Sequence, residues 1–258
     1  MLRFHGVTDA GCSRQDNEDR VHDDEALGFF VVADGMGGHR HGEMAAELAI
    51  STMQYYLESS RGRTDVTWPF GYNFDLSLDA NRLATAIRLA NRQVWKCAER
   101  APEFSGMGTT VAAALVSGAH AAIANVGDSR VYLHRAGALP QLTTDDTWLS
   151  AVMIRGALSK KTLANHPMRN VLTQAAGSEH DVEVHTHDLT LEPGDLLLLS
   201  TDGLHGVVGE TICSMLSAGL SSGRSAEELA VTLIRAARSA GAPDNVSCVL
   251  VSYDELAP

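Results

Sequence analysis

Two strongly apolar, strand-like runs, residues 29–33 and 196–200, each end on an Asp-Gly pair, Asp34-Gly35 and Asp202-Gly203. Asp-Gly after a strand reads by default as a hairpin turn, which demands an immediate return strand. Neither segment supplies one. Asp34 is followed by three more glycines and a helical pattern at 43–57, and Asp202 by a short loop and a helical pattern at 211–218. A strand that stops at a carboxylate and hands over to a helix holds that side chain at a rigid sheet edge, open to a ligand.

Further apolar runs at 110–116, 119–126, 131–134 and 246–253 read as strands, and 83–100 and 226–240 as helices. The last helix has Ser225 before it and Glu228 three residues on, a capping box, and is ended by Gly241 and Pro243. Residues 115–119 and 135–138 predict hairpin turns, and 58–79 reads as a surface excursion. Strands and helices do not alternate regularly, so segregated layers are expected rather than a doubly wound parallel sheet. The class is α+β. With 45% apolar residues in 258, one domain spanning 1–258 can bury a sizeable core.

Charge and cysteine placement narrow the partners. The 20 basic against 32 acidic residues give −12, the wrong sign for binding nucleic acid or an anionic membrane. No run approaches the ~20 apolar residues that cross a bilayer, and the first residues lack the apolar stretch of a signal peptide. Cys12, Cys97, Cys213 and Cys248 are widely spaced and form no CxxC pair, so they read as reduced core thiols. A cytoplasmic protein without membrane insertion is expected.

A third carboxylate, Asp244, immediately precedes a strand and can share a rim with Asp34 and Asp202 if that strand runs antiparallel to theirs. Three hard oxygen ligands from distant segments suit Mg²⁺ or Mn²⁺ better than zinc. Gly35 lets a backbone carbonyl approach an ion closely. Near the N-terminus, TDAGCSRQDNEDR carries Arg14, whose planar fork grips phosphate, and Glu18 and Asp19, which can bind metal-held water. A solvated charged loop is the competing reading. Asp128 lies between two strands, where a plain turn and a metal role are both open. His185 and His187 read as exposed positions on one face of a strand rather than as a zinc pair.

In order, TDAGCSRQDNED, VVADGMGGHRHGEMAA, GMGTTVAAAL, ANVGDSRVYL, HPMRNVLTQAAG, LLLLSTDGL and APDNVSCVLV run from residue 8 to residue 251. They resemble the motifs of the metal-dependent serine/threonine protein phosphatases of type 2C, especially compact bacterial members. The resemblance implies a four-layer sandwich, two packed and mainly antiparallel β-sheets flanked by helices on both sides, with two metal ions at one edge. By matching position, Asp34 bridges both metals and Gly35 lends its carbonyl. Asp202 and Asp244 complete one shell, while Glu18 and Asp19 act at the other metal. Arg14 matches the phosphate clamp and His39 the proton donor to the leaving alcohol. Thr109 and Thr110 are assigned packing alone.

The chemistry follows from the ions. Two cations ~3.5–4 Å apart lower the pKa of a bridging water, so hydroxide attacks phosphorus in line near neutral pH. Arg14 and the cations stabilise the phosphoryl oxygens, and His39 protonates the departing Ser or Thr oxygen. The expected function is Mn²⁺- or Mg²⁺-dependent hydrolysis of phosphoserine and phosphothreonine, by a monomer acting on phosphorylated proteins and opposing a bacterial Ser/Thr kinase. The alternatives are a catalytically weak sensor module with this fold and a two-metal hydrolase of small phosphate esters. The chain departs from many relatives at Gly206, where an acidic or amide residue helps hold a third metal. A third, weaker site then depends on Asp128 and Asp202. The flap-like segment, 144–167, gives no signal about substrate choice.

Overall fold

The computed structural model describes residues 1–37, 41–63, 65–154, 156 and 166–254. Strand β3 (Phe29–Met36) shows why its run is apolar throughout, since both of its faces are covered. Phe29, Val31 and Ala33 pack under helices α1 (His41–Ser60) and α2 (Leu78–Ala98), while Phe30 and Val32 turn to the opposite side, between two sheets. Strand β9 (Asp195–Ser200) repeats the logic. Leu196 and Leu198 meet helices α4 (Asp202–Ser221) and α5 (Ala226–Ser239), and Leu197 and Leu199 face the inter-sheet core. Each such leucine contributes roughly 1.5–3 kcal/mol through burial.

Three apolar layers therefore separate four layers of structure. One sheet has the order β1-β10-β9-β7, from Leu2–Asp9, Val246–Tyr253, β9 and Arg130–His134. The other has the order β2-β3-β5-β6-β8, from Asp19–Asp24, β3, Val111–Ser117, His120–Val126 and His185–Thr190. The two-residue β4 (Gly108–Thr109) adds to the end of β3. Every strand pairing among the described residues is antiparallel. A short helix α3 (Trp148–Ile154) follows the segment after β7. The expected α+β sandwich of packed, helix-flanked sheets is the observed one.

Helix boundaries follow their caps. Ser225 and Glu228 form the predicted capping box, and Ser77 caps α2 by accepting from the Ala80 amide. Two expectations are corrected. No loop separates Asp202 from the following helix: α4 starts at Asp202 itself, with Thr201 at its N-cap position, and an acidic first residue complements the helix dipole. Gly203 is required there, because a Cβ would stand 1.8 Å from the Asn245 carbonyl oxygen. Of the four cysteines expected in the core only Cys248 is buried, Cys12 being exposed; the turn at Asp128 joins β6 and β7, which belong to different sheets. The 115–119 turn is a hairpin, closed by Ser117 opposite His120.

Candidate metal centre

The acidic residues converge where the two sheets end. Asp34 lies in β3 directly opposite Asp19, the first residue of β2. Cross-strand partners have Cβ atoms ~4.5–5.5 Å apart, so two carboxylates in this register repel one another unless a proton or cation lies between. Asp202 follows β9, and Asp244 lies two residues before β10, which runs antiparallel to β9 as expected. Asp34 sits in the other sheet and faces them across the inter-sheet edge. A single cavity of about 320 Å³ is lined by Arg14, Glu18, Asp34, Gly35, Asp128, Asp202 and Asp244, with Asn170 and Leu172 on its wall. His39 lies outside the described residues, as do residues 155 and 157–165 of the flap-like segment.

Asp19 stands behind this wall, fully buried, and its Oδ2 accepts from the hydroxyls of Ser247 (2.6 Å) and Thr201 (2.9 Å). Its Oδ1 has no partner among the described residues, nor have Glu18 Oε1 and Asp202 Oδ1, although all three atoms are buried. A buried acceptor without a donor is costly, and three anionic ones around one cavity are what hard cations satisfy. The backbone is shaped for close approach as well. A Cβ on Gly35 would stand 2.1 Å from the Gly42 carbonyl oxygen, and one on Gly42 would stand 2.8 Å from Glu18 Oε1.

The proton affinities carry the same signature. Burial, opposed by the two hydroxyl donors and reinforced by Asp202 and Asp244, raises the Asp19 carboxyl to about 7. Burial and then Asp202 and Asp145 raise Asp128 to about 7. Asp34 is pushed well above the usual carboxylate range by burial and then by Asp19, Asp202, Asp128 and Asp244. Asp202 and Glu18 are raised by burial first. Sites that bind protons too tightly because like charges crowd them also bind divalent cations.

Among the described residues no three His, Cys, Asp or Glu side chains already form a closed ligand cluster. Their oxygens are partly taken by protein partners. Asp244 Oδ2 accepts from Arg14 Nη2 at 2.8 Å. The donor set fits hard divalent ions: oxygen only, mainly carboxylate, with orphaned atoms from two distant segments, Glu18–Asp19 and Asp202.

Several supporting residues escaped the sequence reading. Thr109 and Thr110 do more than pack: Thr109 Oγ1 donates to the Asp34 carbonyl at 2.9 Å, and the Asp34 amide donates to Thr110 Oγ1 at 3.1 Å. The Glu18 amide donates to Asn245 Oδ1 at 2.9 Å. The turn bearing Asp128 is held by Asp146, whose Oδ2 accepts from the Gly127 amide and whose Oδ1 pairs with His185 Nε2, each at 2.8 Å. His185 is thus a half-buried partner of Asp146, whereas His187 is exposed as expected. Only the Asn-Val-Ser and Thr-Thr strings gave any sequence cue to this layer, because each bond joins residues far apart in the chain.

Residues 7–250 match the family described as Protein phosphatase 2C. The chain is 35% identical over 254 residues to the serine/threonine phosphatase stp of Listeria monocytogenes, covering 96% of this chain and 94% of that one. The crystal structure of the Mycobacterium tuberculosis serine/threonine phosphatase PstP/Ppp superposes with a TM-score of 0.82 at 33% identity, covering 98% of this chain and 99% of that one. A structure of the catalytic domain of PstP in complex with two manganese ions superposes with a TM-score of 0.79 at 31% identity, over 98% and 99% of the two chains.

Proposed function

The chain belongs to the protein phosphatase 2C family and is a serine/threonine phosphatase, and from that premise we propose that the acidic cavity is its catalytic centre. In this reading Asp34 and the Gly35 carbonyl, with Glu18, Asp19, Asp202 and Asp244, hold two divalent cations, Mn²⁺ or Mg²⁺. A third, weaker cation falls to Asp128 and Asp202, since Gly206 offers no side chain. The carrying observation is the like-charged pair Asp19 and Asp34, opposed in register beside orphaned oxygens of Glu18, Asp19 and Asp202.

Bound there, such cations supply Lewis acidity, making water a nucleophile near neutral pH and offsetting phosphoryl charge. The chain's own residues bind and orient. Arg14 stands on the cavity wall with a half-exposed guanidinium, and the N–H groups not given to Asp244 are free to take phosphoryl oxygens. The Ser247 and Thr201 hydroxyls fix one Asp19 oxygen and leave the other without a partner among the described residues. Thr109 and Thr110 lock the backbone of Asp34 on both sides. His39 protonates the departing serine or threonine oxygen.

Its substrates are phosphoproteins, which a serine/threonine protein kinase must first make. No described helix is long and apolar enough to cross a membrane. The test compares a phosphothreonine peptide, a phosphotyrosine peptide and a phosphodiester, each with Mn²⁺ and with a chelator. The expected outcome is turnover of phosphothreonine at least tenfold above the other two, abolished by the chelator. Preference for the diester would place the chain among small-ester hydrolases, and silence on all three would favour a sensor role.

The proton-donor role of His39 has its own signature. For His39→Ala the loss in kcat should be about a hundredfold or more with phosphopeptide but under tenfold with p-nitrophenyl phosphate, whose leaving group hardly needs a proton. Equal losses on both substrates would reject that role.

A further inference from the structure

Among the described arginines that are not exposed, carboxylate pairing leaves one exception. Arg20, Arg82, Arg92, Arg130 and Arg135 each bond a carboxylate. Arg88, half-buried on α2, is bonded to no described residue. It lines a cavity of about 260 Å³ between α2, β8 and the segment 70–76. No acidic residue lines that cavity, although the chain carries 32 of them. The stretch 61–100 bears seven basic and four acidic residues, reversing the balance of a chain of net charge −12.

We propose that this cavity is an oxyanion site, centred on Arg88, that takes a phosphoryl group. A half-buried guanidinium with no anion beside it keeps its donors for an incoming oxyanion, which it can take through charge-assisted bonds. Tyr72 and Thr186 add hydroxyls to the walls, so a tetrahedral anion with several oxygens can use more of the lining than a planar carboxylate. At about 30 Å³ per water, there is room for a phosphate and several waters.

The walls are fixed beforehand. The Asn81 side chain donates to the carbonyls of Asn73, Leu76 and Ser77 and accepts from the Asn73 amide at 2.8 Å. Arg92, one turn beyond Arg88, lies 4.5 Å over the Phe70 ring and bonds Asp181. Preorganisation of this kind lowers the entropic cost of binding. The phosphoryl group can arrive as inorganic phosphate, the product of the enzyme's reaction, or on a second phosphorylated residue of a protein. The cavity shares no lining residue with the metal centre, so its occupation is independent of the catalytic reading.

The test titrates the full chain, in chelator, with inorganic phosphate, with a phosphothreonine peptide and with acetate at matched ionic strength, following backbone amide resonances. Saturable shifts at Tyr72, Arg88 and Thr186 are expected with phosphate, at least tenfold weaker in Arg88→Ala and partly kept in Arg88→Lys. Matching shifts with the peptide extend the site to phosphorylated proteins, and their absence restricts it to free phosphate; either result fits. Should Arg88→Ala not fold, Arg88→Gln takes its place. Absence of saturable shifts at these residues, affinity unchanged by the substitution, or acetate binding as tightly as phosphate would each overturn the assignment.

Discussion

Replacing Asp34 by Asn is expected to lower turnover of a phosphothreonine peptide by roughly three orders of magnitude and, in chelator at pH 8, to make the domain more stable. The two effects come from one cause. Asp34 stands opposite Asp19 and feels Asp202, Asp128 and Asp244 as well, so its charge opposes folding while serving cation binding. The neutral isostere keeps the shape and an acceptor oxygen and removes the repulsion. Relief of about 1–3 kcal/mol corresponds to a rise of roughly 2–10 °C in a domain of this size. The melting temperature in chelator and the turnover with Mn²⁺ check both halves. Turnover within tenfold of the parent protein, or a clear loss of stability in chelator, would contradict the account.

The second large effect is a reversal of pH dependence by cations. Asp19 and Asp128 have folded values of about 7, above the ordinary ~3.8 of the unfolded chain. A raised folded value means stability fully present below about pH 4 and lost as pH rises toward 7. His205 acts oppositely. Burial and then Arg130 depress it to about 3, so its contribution is full above about pH 6.5 and is lost on acidification. Each group gives a slope of roughly 1.4 kcal/mol per pH unit within its window, and the carboxylates outnumber the histidine. In chelator the melting temperature should therefore fall from pH 5 to pH 7.5. Saturating Mn²⁺, at about a hundred times its dissociation constant, should add about 2.7 kcal/mol at pH 7.5 and far less at pH 5, where protons compete. A chelator melting temperature that rises across this range, or an equal Mn²⁺ effect at both ends, would count against the site.

Much of this was readable from the residues, for reasons the structure makes plain. Strands β3, β9 and β10 are covered on both faces, so their runs are continuously apolar and stand out. The carboxylates that end or precede them are fixed by the same strands, which is why Asp34, Asp202 and Asp244 could be placed at one rim. Strands β1 and β2 were invisible, unlike the buried edge strand β7 and the His185–His187 part of β8. Half-exposed, β1 and β2 carry polar residues, with Asp-Arg-Val-His-Asp-Asp forming all of β2. The start of α4 was hidden by Gly203, Gly206 and Gly209, which depress helix propensity. Gly203 is there because the Asn245 backbone passes too close for a side chain. At Asp128 a plain turn and a metal role stayed open, because sequence neighbours usually pair and nothing local shows that the chain here crosses from one sheet to the other. The hydroxyls that hold Asp19 come from Thr201 and Ser247, far along the chain, and no local pattern announces such partners.

The account rests on one cavity binding a pair of hard ions through Asp34. Calorimetric titration of Mn²⁺ into chelator-stripped protein at pH 7.5 measures this directly, with Asp34→Asn titrated alongside. Two strong equivalents are predicted for the parent protein, and at most one, bound at least tenfold more weakly, for Asp34→Asn. The same stoichiometry and affinity in both proteins would contradict it.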